Sequence, residues 1–254
     1  MLSAPASHAL ALVVLAAFAV GVLVWMVVFA RSLPYSPGQT FLYLLNLSLA
    51  RILWRAQVSG PLPVAPGQGA VVVCNHRSPV DPCFIALTTL RVVNWMVAKE
   101  YWRNPLFAYL FRLTRAIPVS RGGIDTAATK AAIRAVAEGE VVGLFPEGRI
   151  NRTSRLLLPG RPGAALIALK ARAPVIPCYV SGSPFDGTMW GFFFMPSKVR
   201  LEVGRPIDLS AYFGREKERG VLEEVTRRLL VEIAALAGAS DFQPELAGRF
   251  YRPQ

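Results

Sequence analysis

The stretch "VVVCNHRSPVDPCF", residues 71–84, decides how this chain is read. Its opening valines are β-branched and apolar without alternation, the pattern of a strand buried on both faces of a sheet. A polar loop follows, and then Asp81-Pro82 reads as a helix start, with Asp81 as N-cap and Pro82 as the first helical residue. Ser78-Pro79 is an alternative start, although Pro82 would then sit where its missing N–H begins to matter. Strand, loop and helix form the unit of an α/β fold, and such folds gather their chemistry just past strand ends. His76 stands at that place, and the only other histidine is His8.

Working outward, the same alternation continues. "GAVVVCN", "VVNWMVAK", "AIPVSR", "VVGLF", "PVIPCYVSG" and "KVRLEVG" read as strands. "PCFIALTTLR", "NPLFAYLFRL", "DTAATKAAIRAVAEG", "PGAALIALKAR" and "EKERGVLEEVTRRLLVEIAALAG" read as helices. The expected fold is α/β, a mixed and largely buried β-sheet flanked by helices over residues 61–240, with a loosely ordered tail at 241–254.

Residues 1–60 have another texture. From Ala9 to Ala30, "ALALVVLAAFAVGVLVWMVVFA" carries no charge over 22 positions, the length that spans a hydrocarbon core of ~30 Å. A signal peptide would have a shorter apolar run preceded by Lys or Arg, and none occurs before Arg31. The expectation is an N-terminal transmembrane helix. Arg31, Arg51 and Arg55 follow it, which places the remainder on the cytoplasmic face. "TFLYLLNLSLARILWRA", residues 40–56, reads as an interfacial helix on the same leaflet, or as one packed on the globular domain.

Composition agrees with a membrane setting. The 254 residues are 53% hydrophobic and 17% charged, and 28 Lys and Arg against 16 Asp and Glu give a net charge of +12. Such a balance suits an anionic partner: nucleic acid, a phosphate-bearing ligand or an anionic membrane. The aromatics lie in apolar runs, which with the span argues against nucleic acid. Cys74, Cys83 and Cys178 are odd in number and lack CxxC spacing, so neither disulfides nor zinc is indicated. No G-x-S-x-G elbow, P-loop or dinucleotide fingerprint occurs.

Two constellations carry chemistry. Asp81 lies five residues after His76, close enough to bond one imidazole nitrogen and leave the other as a base. The bland reading is that Asp81 only caps a helix. The second is "LFPEGRINRTSRLLLPGRPG", residues 144–163, with Arg149, Arg152, Arg155 and Arg161 after Glu147-Gly148. Clustered guanidinium groups suit a phosphomonoester, although a solvated basic loop would read the same way. Arg121 follows another strand end and could converge on that edge.

Four ordered pieces now resemble a known family. "NHRSPVD", "AIPVSR", "FPEGR" and "APVIPCYV", within residues 69–205, are similar to the four blocks of the glycerolipid acyltransferases, in particular the bacterial 1-acyl-sn-glycerol-3-phosphate acyltransferases. The resemblance implies a membrane enzyme moving a fatty acyl group from an acyl thioester to the sn-2 hydroxyl of lysophosphatidic acid, giving phosphatidic acid. It implies His76 as general base with Asp81 orienting it, and Arg121, Glu147, Gly148, Arg149 and Arg152 as the acceptor site. No metal or resident cofactor is implied; acyl-CoA or acyl-carrier protein is a co-substrate, and membrane lipids are the surroundings. The expected location is the cytoplasmic face of a bacterial inner membrane.

The chain also departs from the pattern. Arg149 follows Gly148 directly where the family commonly has Thr before Arg, so either Arg149 or Arg152 takes the phosphate-contacting part. Another lysophospholipid or a lyso-amino-acid lipid as acceptor stays open, as does a non-catalytic protein that binds anionic lipid. A lipid hydrolase using the same base on water is a third class.

Overall fold

The computed structural model describes residues 4–120, 125–188 and 190–247. The chain divides into two compact units, Met1–Leu42 and Tyr43–Gln254.

The first unit is dominated by helix α1, Ala4–Ser32. Its stretch Leu12–Ser32 is long and apolar enough to cross a membrane, and none of its described side chains is buried. It is a candidate membrane anchor. Helix α2, Pro37–Ser48, then passes into a wider π-helical turn at Leu49–Leu53. The single helix expected over 40–56 is therefore interrupted. Ala50, Trp54 and Ala56 are buried among core side chains, so this end of the segment belongs to the globular interior.

Among its described residues the second unit is built on seven strands: β1 Gln57–Val58, β2 Ala70–Cys74, β3 Val93–Ala98, β4 Ile117–Val119, β5 Val141–Leu144, β6 Val175–Ser181 and β7 Arg200–Val203. They form one sheet in the order β1-β7-β6-β2-β5-β3-β4. Neighbours pair in parallel except β6 with β7, so the sheet is mixed, as expected. Two-residue β1 lacks a pattern long enough to read from sequence.

Alternation within the apolar strands explains why both faces are covered. Val71, Val73, Val142 and Val175 face one core, packed by α5 (Thr126–Ala137), α6 (Gly163–Ala171) and α7 (Val221–Leu236). Ala70, Val72, Val141 and Ile176 face the other, with Trp54, Phe84 and Ile85. Each fully buried Val or Ile contributes roughly 1.5–3 kcal/mol, so the sheet is the main store of stability. On α7, Val221, Val225, Leu229, Leu230 and Ile233 recur at helical spacing and are all buried.

The remaining helices are α3, Asp81–Ile85, and α4, Pro105–Leu113. Asn104 caps α4 by accepting from the backbone N–H groups of Leu106 and Phe107. The helix expected over 82–91 is cut to five residues. Thr88 turns its hydroxyl and its N–H onto the Ile85 carbonyl, closing the helix early. The described part of the C-terminal tail is tied down, contrary to expectation. Gly160 N–H donates to Glu245, Ala247 N–H donates to Gly160, and Glu245 pairs with Arg155.

Candidate active site

Strands β5, β2 and β6 are adjacent and parallel, so their C-terminal ends lie side by side. His76, Glu147 and Ser183 each follow one of those ends. Asn75, the last residue before His76, is buried and grips β6 twice: its amide donates to the Val180 carbonyl (2.8 Å) and accepts from the Val180 N–H (2.7 Å). That bridge fixes where the chain leaves the sheet, and so where His76 begins.

Asp81 is fully buried and does not act as the N-cap expected of it. Val80 occupies that position, and Asp81 is the first helical residue. Its carboxylate points back into the loop instead. Oδ2 accepts from the backbone N–H of Arg77 (2.6 Å) and of Ser78 (2.8 Å) and lies 3.0 Å from His76 Nδ1. Oδ1 accepts from the Ser183 hydroxyl (2.6 Å). Oδ2 offers Nδ1 an acceptor, which favours the tautomer with its hydrogen on Nδ1 and a lone pair on Nε2.

The ring is also held by stacking. Phe145 lies 3.7 Å from the imidazole, centroid to centroid, with planes 5° apart. Trp95 stacks on the far side of Phe145 at 4.8 Å. Packing on one face and a hydrogen bond at one edge leave His76 little rotational freedom.

Glu147 is buried as well, and its oxygens are occupied by main chain. Oε1 accepts from His76 N–H and Oε2 from Leu158 N–H, both at 2.8 Å. Burial pushes its carboxyl up to about 7, outweighing those two donors and the nearby Arg77 charge. The structure thus places Glu147 beneath the loops it joins. Gly148 has φ +69°, and a Cβ there would come within 3.0 Å of the Arg161 side chain, so both conformation and space call for glycine.

The arginines divide by surroundings. Arg77 folds its guanidinium over a distant loop, donating to Thr153 O (2.7 Å), Arg155 O (2.6 Å) and Asn151 O (3.3 Å). Asn151 is buried and donates its own N–H to the His76 carbonyl (2.7 Å). Arg149 is half-buried, and Arg152 is exposed with its guanidinium carbon 5.0 Å from the centre of the Phe185 ring. Arg77, Asn151, Arg152, Ser183 and Phe185 line an open cleft of about 530 Å³ that adjoins Asp81 through Ser183. Arg121 lies outside the described residues.

Sequence reasoning did not single out Asn75, Arg77, Phe145 or Ser183. Asn75 carried a signal, as the amide that ends a wholly apolar strand beside the histidine. Ser183 carried none, since its partner Asp81 is 102 residues away.

The sequence pattern of the family described as Acyltransferase matches residues 55–181 of this chain, half of its length. Over 165 residues, 63% of this chain and 79% of the relative, it is 29% identical to a 1-acyl-sn-glycerol-3-phosphate acyltransferase of Bacillus subtilis. It is 33% identical over 117 residues to an N-acylphosphatidylethanolamine synthase of Arabidopsis thaliana, a match spanning 42% of this chain and 40% of that relative. The crystal structure of a 1-acyl-sn-glycerophosphate acyltransferase from Thermotoga maritima matches with a TM-score of 0.58 at 21% identity, covering 86% of this chain and 89% of that one. That likeness is one of fold. His76, Asp81, Phe145 and Glu147 all fall within the matched region, and Ser183 lies just beyond it.

Proposed function

This chain belongs to the acyltransferase family, and on that premise we propose that it moves a fatty acyl group from an acyl thioester to the sn-2 hydroxyl of lysophosphatidic acid. The observation that carries the reading is the His76–Asp81 pair, 3.0 Å apart, with the carboxylate fixed by two backbone N–H groups and the Ser183 hydroxyl.

A glycerol hydroxyl is a weak nucleophile near neutral pH. In the proposed step His76 Nε2 takes the hydroxyl proton as the oxygen attacks the thioester carbonyl. Asp81 stabilises the imidazolium that forms. The tetrahedral intermediate collapses with loss of the C–S bond, and the imidazolium returns its proton to the departing thiolate. Ester and free thiol are the products, with no covalent acyl-enzyme and no resident cofactor required. Acyl-CoA and acyl-carrier protein are both chemically adequate donors.

In the acceptor site, Arg152 is proposed to hold the phosphate, since it lines the open cleft, and Arg121 and Arg149 are proposed to add charge. Gly148 allows close backbone approach, and Glu147 acts by holding the His76 loop. Helices α1 and α2 are proposed as anchor and interfacial segment, with the globular part from β1 onward as the acyltransferase domain on the cytoplasmic side of a bacterial inner membrane. A different lysophospholipid as acceptor is the second reading. Arg149 in place of the family's usual Thr supports it.

The test is turnover of a labelled acyl thioester with a panel of lysophospholipids, wild type beside His76→Ala. Loss of transfer by ~10²–10⁴ in the variant, with lysophosphatidic acid the favoured acceptor, is expected. Transfer to another lyso-lipid alone would move the acceptor, and transfer unaffected by His76→Ala would overturn the mechanism.

A further inference from the structure

Two segments distant in sequence meet to form an aromatic surface that the chemistry above does not use. On α4 the outward face carries Leu106 and Tyr109, 53% and 59% exposed, with Arg112 one turn beyond. Opposite α4, a short 3₁₀ turn at Gly191–Phe194 presents Phe193 and Phe194, the latter 80% exposed, beside Trp190. The segments are joined by stacked rings: Phe107 on Trp190 at 5.3 Å, Trp190 on Phe193 at 6.1 Å, and Phe107 on Phe111 at 6.0 Å.

This surface is held in shape from below. Phe192 is buried, and the buried Trp54 donates its indole N–H to the Phe192 carbonyl (3.1 Å). Thr188 receives the Gly191 N–H (2.9 Å), and a side chain at Gly191 would collide with Asp186. Folding therefore fixes a loop whose tip is phenylalanine in water. An exposed apolar patch with a built foundation marks an interaction surface.

The composition identifies the occupant. Trp and Tyr at the border of an apolar patch suit the headgroup level of a bilayer. Lys99 and Arg115 are paired with Asp125 and Glu140, but Arg103 and Arg112 are exposed beside the patch, and their charge suits anionic lipid. The same loop donates the Ser183 hydroxyl to Asp81 nine residues before Phe192, so it links the patch to the candidate active site. We infer that the α4 and Trp190–Phe194 surface is a second membrane contact, inserting into the headgroup region of an anionic leaflet. It rests on the reading of this chain as a membrane-bound enzyme. It adds that the globular domain itself docks, which brings the cleft to the lipid.

The experiment uses the full chain in lipid discs of phosphatidylglycerol and phosphatidylcholine, one copy per disc. Phe194→Cys carries an environment-sensitive fluorophore, labelled wild type sets the background from Cys83, and Lys217→Cys, at an exposed position just before helix α7, is the aqueous control. Quenching of the Phe194→Cys label by brominated acyl chains, with protection from iodide, is expected. Iodide quenching equal to that at Lys217→Cys would overturn the inference. So would shielding from both quenchers, which would mean that protein covers the patch. In a second arm, Phe194→Glu should slow acylation of a bilayer-embedded acceptor about tenfold and leave a short-chain soluble acceptor unchanged. Equal loss on both acceptors would count against docking. Because the labelling arm needs no turnover, it separates failure of this inference from failure of the proposed reaction.

Discussion

Asp81 and Glu147 are both buried carboxylates that follow the ends of neighbouring parallel strands, and both accept two backbone N–H groups. They differ in what else they touch. Asp81 has capacity left for His76 Nδ1 and the Ser183 hydroxyl, so its charge is directed at a side chain that can react. Glu147 spends one oxygen on each of two main-chain segments. The first tunes a ring; the second fastens the floor on which that ring stands. Proximity to a reactive group therefore says little about a carboxylate's part until its lone pairs are assigned.

The comparison predicts different consequences of the same amide substitution. Asp81→Asn should lower kcat by ~10²–10⁴ with the fold intact, because an amide oxygen held by the Arg77 and Ser78 N–H groups still accepts from His76 Nδ1 but carries no charge to stabilise the imidazolium that forms. Steady-state kinetics with circular dichroism would check this. Glu147→Gln should act mainly on stability, losing ~1–3 kcal/mol at pH 5 as one buried N–H loses its acceptor. Its kcat should stay within about tenfold of wild type. If Glu147→Gln instead abolished turnover with an unchanged urea midpoint, Glu147 would be an acceptor contact and the comparison would fail.

Acidity sharpens the contrast. Glu147 titrates at about 7 in the folded chain against 4.5 for the free side chain, so the folded state binds the extra proton between those values. Stability from this group is therefore full below about 4.5 and is lost as pH rises through 7, by roughly 3 kcal/mol at most. The gap between wild type and Glu147→Gln should close between pH 5 and pH 8, which urea midpoints at the two values would reveal. The smallest effect concerns packing. Phe145→Leu removes the stacked face of His76 and should slow turnover about two- to tenfold, with no change in acceptor KM.

Much of the fold was legible because its strands are apolar on both faces and its helices open with local signals. Asn104-Pro105 and Asp125 each begin a helix by capping its first N–H groups, and such chemistry lies within a few residues. The same logic misled at Asp81-Pro82, which spells a helix start. The carboxylate finds its partners upstream, at Arg77 and Ser78, rather than in the helix it opens. The helix expected to run to residue 91 fails at Thr88 because its hydroxyl competes for the Ile85 carbonyl.

The sequence by itself determined the α/β class, the apolar N-terminal helix, and the closeness of His76 to Asp81, since periodicity, length and a five-residue spacing are properties of the chain. Only tertiary structure decided the strand order that sets β2 between β5 and β6 and so brings Ser183 to Asp81 and Glu147 under His76. It also decided that Arg77 is a clamp on the distant loop that carries Thr153 and Arg155, and that aromatic residues some eighty positions apart share one surface. The physical reason is the same in each case. A hydrogen bond or a stacked ring is a matter of ångströms in space, and nothing in local composition encodes which distant strand end will be its neighbour.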